Sequence, residues 1–94
     1  MEIRKRIVSG LATIDISGDT RSVVGEELQE TISELLDQGH LEIVVNLEHV
    51  SFLDSAGLGE IVHAYSTVSR RGGKLRVEGL NQQLQDQFLK KLTK

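Results

Sequence analysis

Ninety-four residues make one small domain, since domains run at roughly 100 to 150 residues at the mode. Hydrophobic residues at 38% and charged residues at 27% sit near the soluble globular average and exclude a disordered chain, and the lack of Cys excludes a disulfide framework, a thiolate metal site and a Cys nucleophile. Eleven Lys and Arg against fourteen Asp and Glu give a net charge of −3, which argues against direct nucleic-acid binding, because neutralising phosphates takes an excess of basic side chains.

The first predicted element is an edge strand from Ile3 to Val8, mixing apolar and basic residues. Ser9-Gly10 is a turn signal, and Leu11 to Ile16 alternates with Ile14 and Ile16 on one face. Together they predict a hairpin, closed by Ser17-Gly18-Asp19-Thr20. The period then changes. Val24, Leu28, Ile32, Leu35 and Leu36 recur at spacings of three and four with acids between them, the pattern of an amphipathic helix. Gly39 is placed to end it, since glycine accepts the left-handed cap at little cost.

Glu42 to Leu47 carries the β-branched run Ile43-Val44-Val45, the mark of a buried strand. Leu58, Ile61, Val62, Tyr65 and Val68 predict a second helix, ended by Arg70-Arg71-Gly72-Gly73. Lys74 to Val77 is a short strand, and Leu84, Phe88, Leu89 and Leu92 define a third helix starting near Asn81. The order β, β, α, β, α, β, α predicts an α/β fold: a small mixed sheet of about four strands packed with about three helices. Strand–helix–strand units bring right-handed parallel crossovers, and the initial hairpin adds an antiparallel pair. Acids cluster at Glu26, Glu27, Glu30, Glu34 and Asp37, and bases at Arg70, Arg71, Lys74, Arg76, Lys90, Lys91 and Lys94. Both runs read first as solvated faces. No apolar run approaches the roughly 18 residues of a membrane span, and the charged Met1 to Val8 is no signal peptide. A cytoplasmic protein with no membrane partner is expected.

The chemistry-bearing stretch is Phe52-Leu53-Asp54-Ser55-Ala56-Gly57-Leu58-Gly59, between a buried strand and an amphipathic helix. Asp54 or Ser55 suits the N-cap, where a side-chain oxygen accepts from an unpaired backbone N–H. The alternative is a modifiable hydroxyl at a helix start, where negative charge is favoured. Gly57 and Gly59 each lower helix propensity by up to about 1 kcal/mol relative to Ala. They suit either tight packing of the helix on its own sheet or close approach of a partner. A nucleophilic enzyme is not expected: Ser55 is not in a G-x-S-x-G elbow, and His40, His49 and His63 have no group orienting them as a base. His63 falls between Ile61 and Tyr65, both expected in the core, and is expected to point to solvent. The histidines and acids have no metal-ligand spacing, and no phosphate loop is present, so no metal and no cofactor is expected.

Ile43-Val44-Val45-Asn46-Leu47-Glu48-His49-Val50-Ser51-Phe52-Leu53-Asp54-Ser55-Ala56-Gly57-Leu58-Gly59 resembles the signature stretch of the STAS family, and more narrowly that of bacterial anti-sigma factor antagonists. The likeness continues through Arg71-Gly72-Gly73-Lys74-Leu75, and the order of elements agrees over nearly the whole chain, so residues 1–94 are read as a single STAS-like domain. The resemblance implies a non-enzymatic regulator with Ser55 as its phosphorylation site. It implies that Asp54, Ser55, Ala56, Gly57, Leu58 and Gly59 meet an anti-sigma factor with serine kinase activity, which binds the unmodified protein and ejects it by phosphorylation. A PP2C-type phosphatase would restore the active form. Ala56 stands where a second hydroxyl residue is common, Arg21 where an acidic residue is usual, and the chain ends at Lys94, as a minimal version or a truncation. The alternative within the family is a scaffold or accessory subunit of a signalling or transport assembly, with Ser55 only a cap.

Overall fold

A computed structural model describes residues 2–19, 25–52 and 55–80, together with Gln82, Gln85 and Asp86. Its elements run β1 (Glu2–Val8), β2 (Leu11–Asp19), α1 (Gly25–Asp37), β3 (Glu42–Phe52), α2 (Ser55–Arg70) and β4 (Lys74–Glu78). The four strands form one sheet in the order β1-β2-β3-β4. β1 pairs antiparallel with β2, and β2 with β3 and β3 with β4 pair in parallel. The mixed α/β sheet expected from the order of elements is therefore the fold. Among the described residues the longer helices number two, not three. Of the third helix expected from Asn81, Gln82, Gln85 and Asp86 are helical, while Leu84, Phe88, Leu89 and Leu92 lie outside the described residues, as does Val24 of the first.

Local chemistry explains the joints. Val8 pairs with Leu11, so the hairpin loop is the two residues Ser9 and Gly10, both at positive φ (52° and 81°). That is the type I′ geometry whose twist matches the flanking strands. Both helices end alike: His40 N–H donates to Leu35 O (2.9 Å) and Gly39 N–H to Leu36 O (3.0 Å), while Gly73 N–H donates to Val68 O (2.9 Å) and Gly72 N–H to Ser69 O (3.1 Å). Gly39 and Gly72 stand at φ 91° and 82°, the left-handed caps of two Schellman motifs.

Alternation puts Ala12, Ile14 and Ile16 of β2 with Ile43, Val45 and Leu47 of β3 on one sheet face. They join Leu28, Ile32, Leu35 and Leu36 of α1 and Leu58, Ile61, Ala64 and Val68 of α2 in one buried cluster, so both helices cover the same face. Each such aliphatic side chain contributes about 1.5 to 3 kcal/mol by leaving water. Part of the acidic run is used on the surface, in pairs of Glu34 with Lys5 (3.2 Å) and Asp37 with Arg71 (2.9 Å). No described helix is long and apolar enough to cross a membrane.

Three expectations need correction. Ser17, Gly18 and Asp19 continue β2 instead of closing the hairpin, and β3 runs on to Phe52 instead of ending at Leu47, because the two strands keep pairing through irregular register. Tyr65, expected in the core, is 51% exposed, and Ala64 beside it is fully buried. The inward face of α2 follows Gly57, Ile61, Ala64 and Val68, spaced by four, three and four. A small residue at 64 lets the helix approach closely, and that orientation carries Tyr65 out to the edge.

The opposite sheet face is polar. Arg6 reaches diagonally across the hairpin and grips Asp15 with two guanidinium nitrogens, Nε on Oδ2 and Nη2 on Oδ1 (3.0 Å for the latter). Asp15 is held below the ordinary carboxylate range, first by the hydrogen bond from Arg6, against burial that pushes it up, and with further help from Asn46. A carboxylate depressed on folding contributes stability that is fully present above its unfolded pKa of about 3.9 and is lost as pH falls through the lower folded value. Thermal unfolding followed from neutral to acid pH is expected to fall more steeply below about pH 4 in the wild type than in Asp15→Asn; parallel curves would mean that the contact adds nothing in solution.

Candidate functional site

β3 delivers the chain to the head of α2, whose first residue is Ser55. The opening N–H groups of a helix have no intrahelical partner and carry partial positive charge, and the first turn of α2 holds no acidic residue to offset it. Ser55 and Ala56 are exposed there, Gly57 and Leu58 are buried, and Gly59 is half-buried. Asp54 lies outside the described residues, as do Thr20 and Arg21. Leu58, at 7% exposure, belongs to the core cluster. It anchors the first turn from beneath, and the surface of the turn is Ser55, Ala56 and Gly59.

The two glycines separate on this geometry. Gly57 is on the inward face of α2 with Ile61 and Ala64. Gly59 is not: a Cβ built on it meets no atom within 4 Å. Nothing inside the described domain therefore demands glycine at 59, although glycine there weakens the helix. Ser55, Gly59, Val62 and Ser66 succeed one another by four, three and four, so they share one side of α2, turned away from the core stripe.

The histidines are dispersed. His63 lies two turns beyond Ser55 and is exposed, as expected, although Tyr65 beside it is exposed as well. His40 precedes β3, so the whole length of that strand separates it from Ser55. His49 lines a hollow of about 480 Å³ with Arg4, Arg6, Asp15, Ser17 and Asn46, on the polar face of the sheet, whereas α2 covers the other face. Another hollow, of about 380 Å³, lies between the Ser9–Gly10 tip and Gly39 to Glu42, at the far end of the sheet. No group of three or more His, Asp or Glu among the described residues is arranged to hold a metal ion. What the head of α2 presents is an exposed surface patch with the Ser55 hydroxyl at its edge. What sequence reasoning missed is the link of Arg6 to Asn46 through Asp15, which accepts from both, Asn46 Nδ2 donating to Asp15 Oδ1 at 2.9 Å. Its partners lie 9 and 31 residues apart, and only strand register brings them together.

A small mixed sheet covered on one face by two helices presents Ser55 in the open at the head of α2. The family model of the STAS domain matches residues 2–92, and the chain belongs to the STAS family. Over 71 residues it is 32% identical to the anti-sigma-B factor antagonist of Bacillus subtilis (strain 168), covering 76% of this chain and 64% of that protein. The protein of the same name from Staphylococcus aureus (strain NCTC 8325 / PS 47) is 28% identical over 71 residues, covering 76% and 66%. The chain thus spans about two thirds of the length of these relatives. Among solved structures it is similar to the anti-sigma factor antagonist SpoIIAA in its unphosphorylated form, with a TM-score of 0.77 at 21% identity over 94% of this chain and 82% of that one. The phosphorylated form of SpoIIAA matches with the same TM-score and identity over 96% and 83%.

The open position at Gly59 has a measurable consequence. Gly59→Ala is expected to stabilise the free domain by up to about 1 kcal/mol, raising its melting temperature by about 4 to 8 °C for a chain of this size. Thermal melts of the two proteins check it, and an unchanged or lower midpoint would mean that the space is filled in solution.

Proposed function

We propose that this protein is an anti-sigma factor antagonist: a non-enzymatic binding protein that engages an anti-sigma factor when unmodified and is released when Ser55 is phosphorylated. The observation that carries the reading is the exposure of Ser55 at the head of α2, in the setting Asp54-Ser55-Ala56-Gly57-Leu58-Gly59. The B. subtilis and S. aureus relatives carry that name, and membership of the STAS family supports it. The partner is an anti-sigma factor with serine kinase activity, and a PP2C-type phosphatase resets the switch. The protein works in the cytoplasm, and residues 1–94 act as one module.

The geometry suits an electrostatic switch. Phosphorylation adds about −1.5 to −2 charge at pH 7. In the free domain the helix N-terminus tolerates it, because the positive end of the helix dipole favours an anion. In a complex the same charge must be desolvated beside Asp54. A coupling of about 3 kcal/mol changes affinity more than a hundredfold, and the sheet and core need not move. Ser55, Ala56 and Gly59 form the contact surface, with Gly59 admitting a partner's main chain. Gly57 and Leu58 support that surface from the core side.

Incubation with the kinase and ATP is expected to add one phosphate, abolished by Ser55→Ala; peptide mapping that places it elsewhere would refute the site. Ser55→Asp is expected to weaken partner binding, and unchanged affinity by calorimetry would sink the electrostatic account. Gly59→Ala is expected to weaken binding while it stabilises the free protein, a split that a packing role for Gly59 does not produce.

A further inference from the structure

We propose that Asn46 is the positioning residue for Ser55: its side-chain amide locks a bulge in β3, and that bulge sets the phase in which the strand hands the chain to α2. The proposal deepens the reading of Ser55 as the switch and rests on it for its regulatory meaning.

β3 does not alternate evenly. Ile43, Val45 and Leu47 face the core, and even alternation would turn His49 inward next. Instead Val50 is buried, at 5% exposure, and His49 is exposed. The pairing with β2 records the cause. It passes from Asp15 opposite Asn46 to Ser17 opposite His49, so two steps on β2 face three on β3. One extra residue on one strand is a bulge, which bends the strand and re-aims the side chains beyond it. A second slip comes between the pairs Gly18–Val50 and Asp19–Phe52.

Asn46 stands at the start of the first slip and uses both ends of its amide. Nδ2 donates to Asp15 Oδ1 on the neighbouring strand (2.9 Å), and Oδ1 accepts from Glu48 N–H within the bulge (3.1 Å). The first bond ties β3 to β2. The second satisfies a backbone donor at the irregular step, where an unpaired group would be costly. With the acceptor Asp15 opposite, position 46 must offer both a donor and an acceptor on one short side chain, which Asp and Leu cannot supply. Arg6 braces Asp15 from β1. From the other side Gly79 closes on the same point at φ 79°: a Cβ there would stand 2.5 Å from Glu48 N and 2.7 Å from Asn46 Oδ1. β1, β2, β3 and the exit from β4 thus converge on one amide.

Phase matters because side chains alternate with a period of two. Without the extra residue every later side chain of the strand would turn to the opposite face, so that His49 would enter the core and Val50 would leave it. Ser55 opens α2 three residues after β3 ends at Phe52, and the direction in which α2 starts depends on that phase. Asn46 itself lies on the polar sheet face, away from the patch around Ser55.

The test compares four proteins: wild type, Asn46→Asp, the exchange Asp15→Asn with Asn46→Asp, and Ile32→Val as a destabilised control in α1. Asn46→Asp sets two carboxylates against each other, and the exchange restores a donor facing an acceptor. The readout is amide hydrogen exchange by NMR, at a temperature where all four are folded. It tracks Gly59, Glu60 and Ile61, whose N–H groups make the first intrahelical bonds of α2. Asn46→Asp is expected to speed exchange there about tenfold or more beyond a control of matched melting temperature, with the exchange variant recovering most of it. Rates no faster than the control, or no recovery in the exchange, would overturn the positioning role and leave Asn46 as sheet stabilisation alone. Phosphorylation of Ser55 is read in parallel. Slowing in Asn46→Asp with recovery in the exchange supports the proposal. Absence of phosphorylation in the wild type removes the switch, and hydrogen exchange alone then decides the placement of α2.

Discussion

From Ala12 to Asp19 and from Ile43 to Phe52 the two central strands run side by side in parallel, and the other elements hang from that pairing. β1 folds back onto β2 through a two-residue turn. α1 is the crossover that makes a parallel neighbour possible, since parallel strands cannot be joined by a tight turn. α2 repeats the operation toward β4. The strand order advances steadily through both crossovers, and both helices fall on one face, as two crossovers of the same hand require. The apolar cluster is thereby one-sided, and the reverse face carries mostly charged and polar side chains, with Val44 and Thr13 buried among them.

The same pairing is also where regularity fails, and it fails toward the end that leads into α2. Parallel strands of equal step would carry β3 to its last residue with strict alternation. The slips opposite Asp15 and Gly18 break that alternation just before the chain turns into α2. Bulges concentrate beside sites because they re-aim a side chain without dismantling a sheet. Here the irregular step has its own side-chain partner in Asn46 and its own close-packed glycine in Gly79.

Periodicity made the layer architecture legible. Ile43-Val44-Val45 marked the central strand, the spacing of Leu28, Ile32, Leu35 and Leu36 marked α1, and the glycines at 39 and 72 marked both helix ends. Ser55 at a strand-to-helix junction was legible for the same reason. The misses have physical causes. Gly18 and His49 read as breakers or polar interruptions, so β2 and β3 were cut short, because a bulge removes the alternation on which a strand is recognised. Tyr65 was assigned to the core because hydrophobicity does not report which of two neighbouring positions a helix turns inward; Ala64 won through close packing. The contacts among Arg6, Asp15 and Asn46 depend on register, which no local pattern encodes. The choice between the roles open to Gly57 and Gly59 needed coordinates as well: one lies on the packed stripe, and at the other an added Cβ meets no atom of the described residues.

The hairpin tip has a use that its place confers. Ser9 and Gly10 lie where β2 begins, whereas Ser55 comes after the end of β3, which runs parallel to it. Both tip residues are exposed, and the full height of the sheet stands between them and the serine. A fluorophore or an affinity handle attached at that corner would travel with the domain without shadowing the serine, so that association at the opposite pole could be watched by energy transfer in real time.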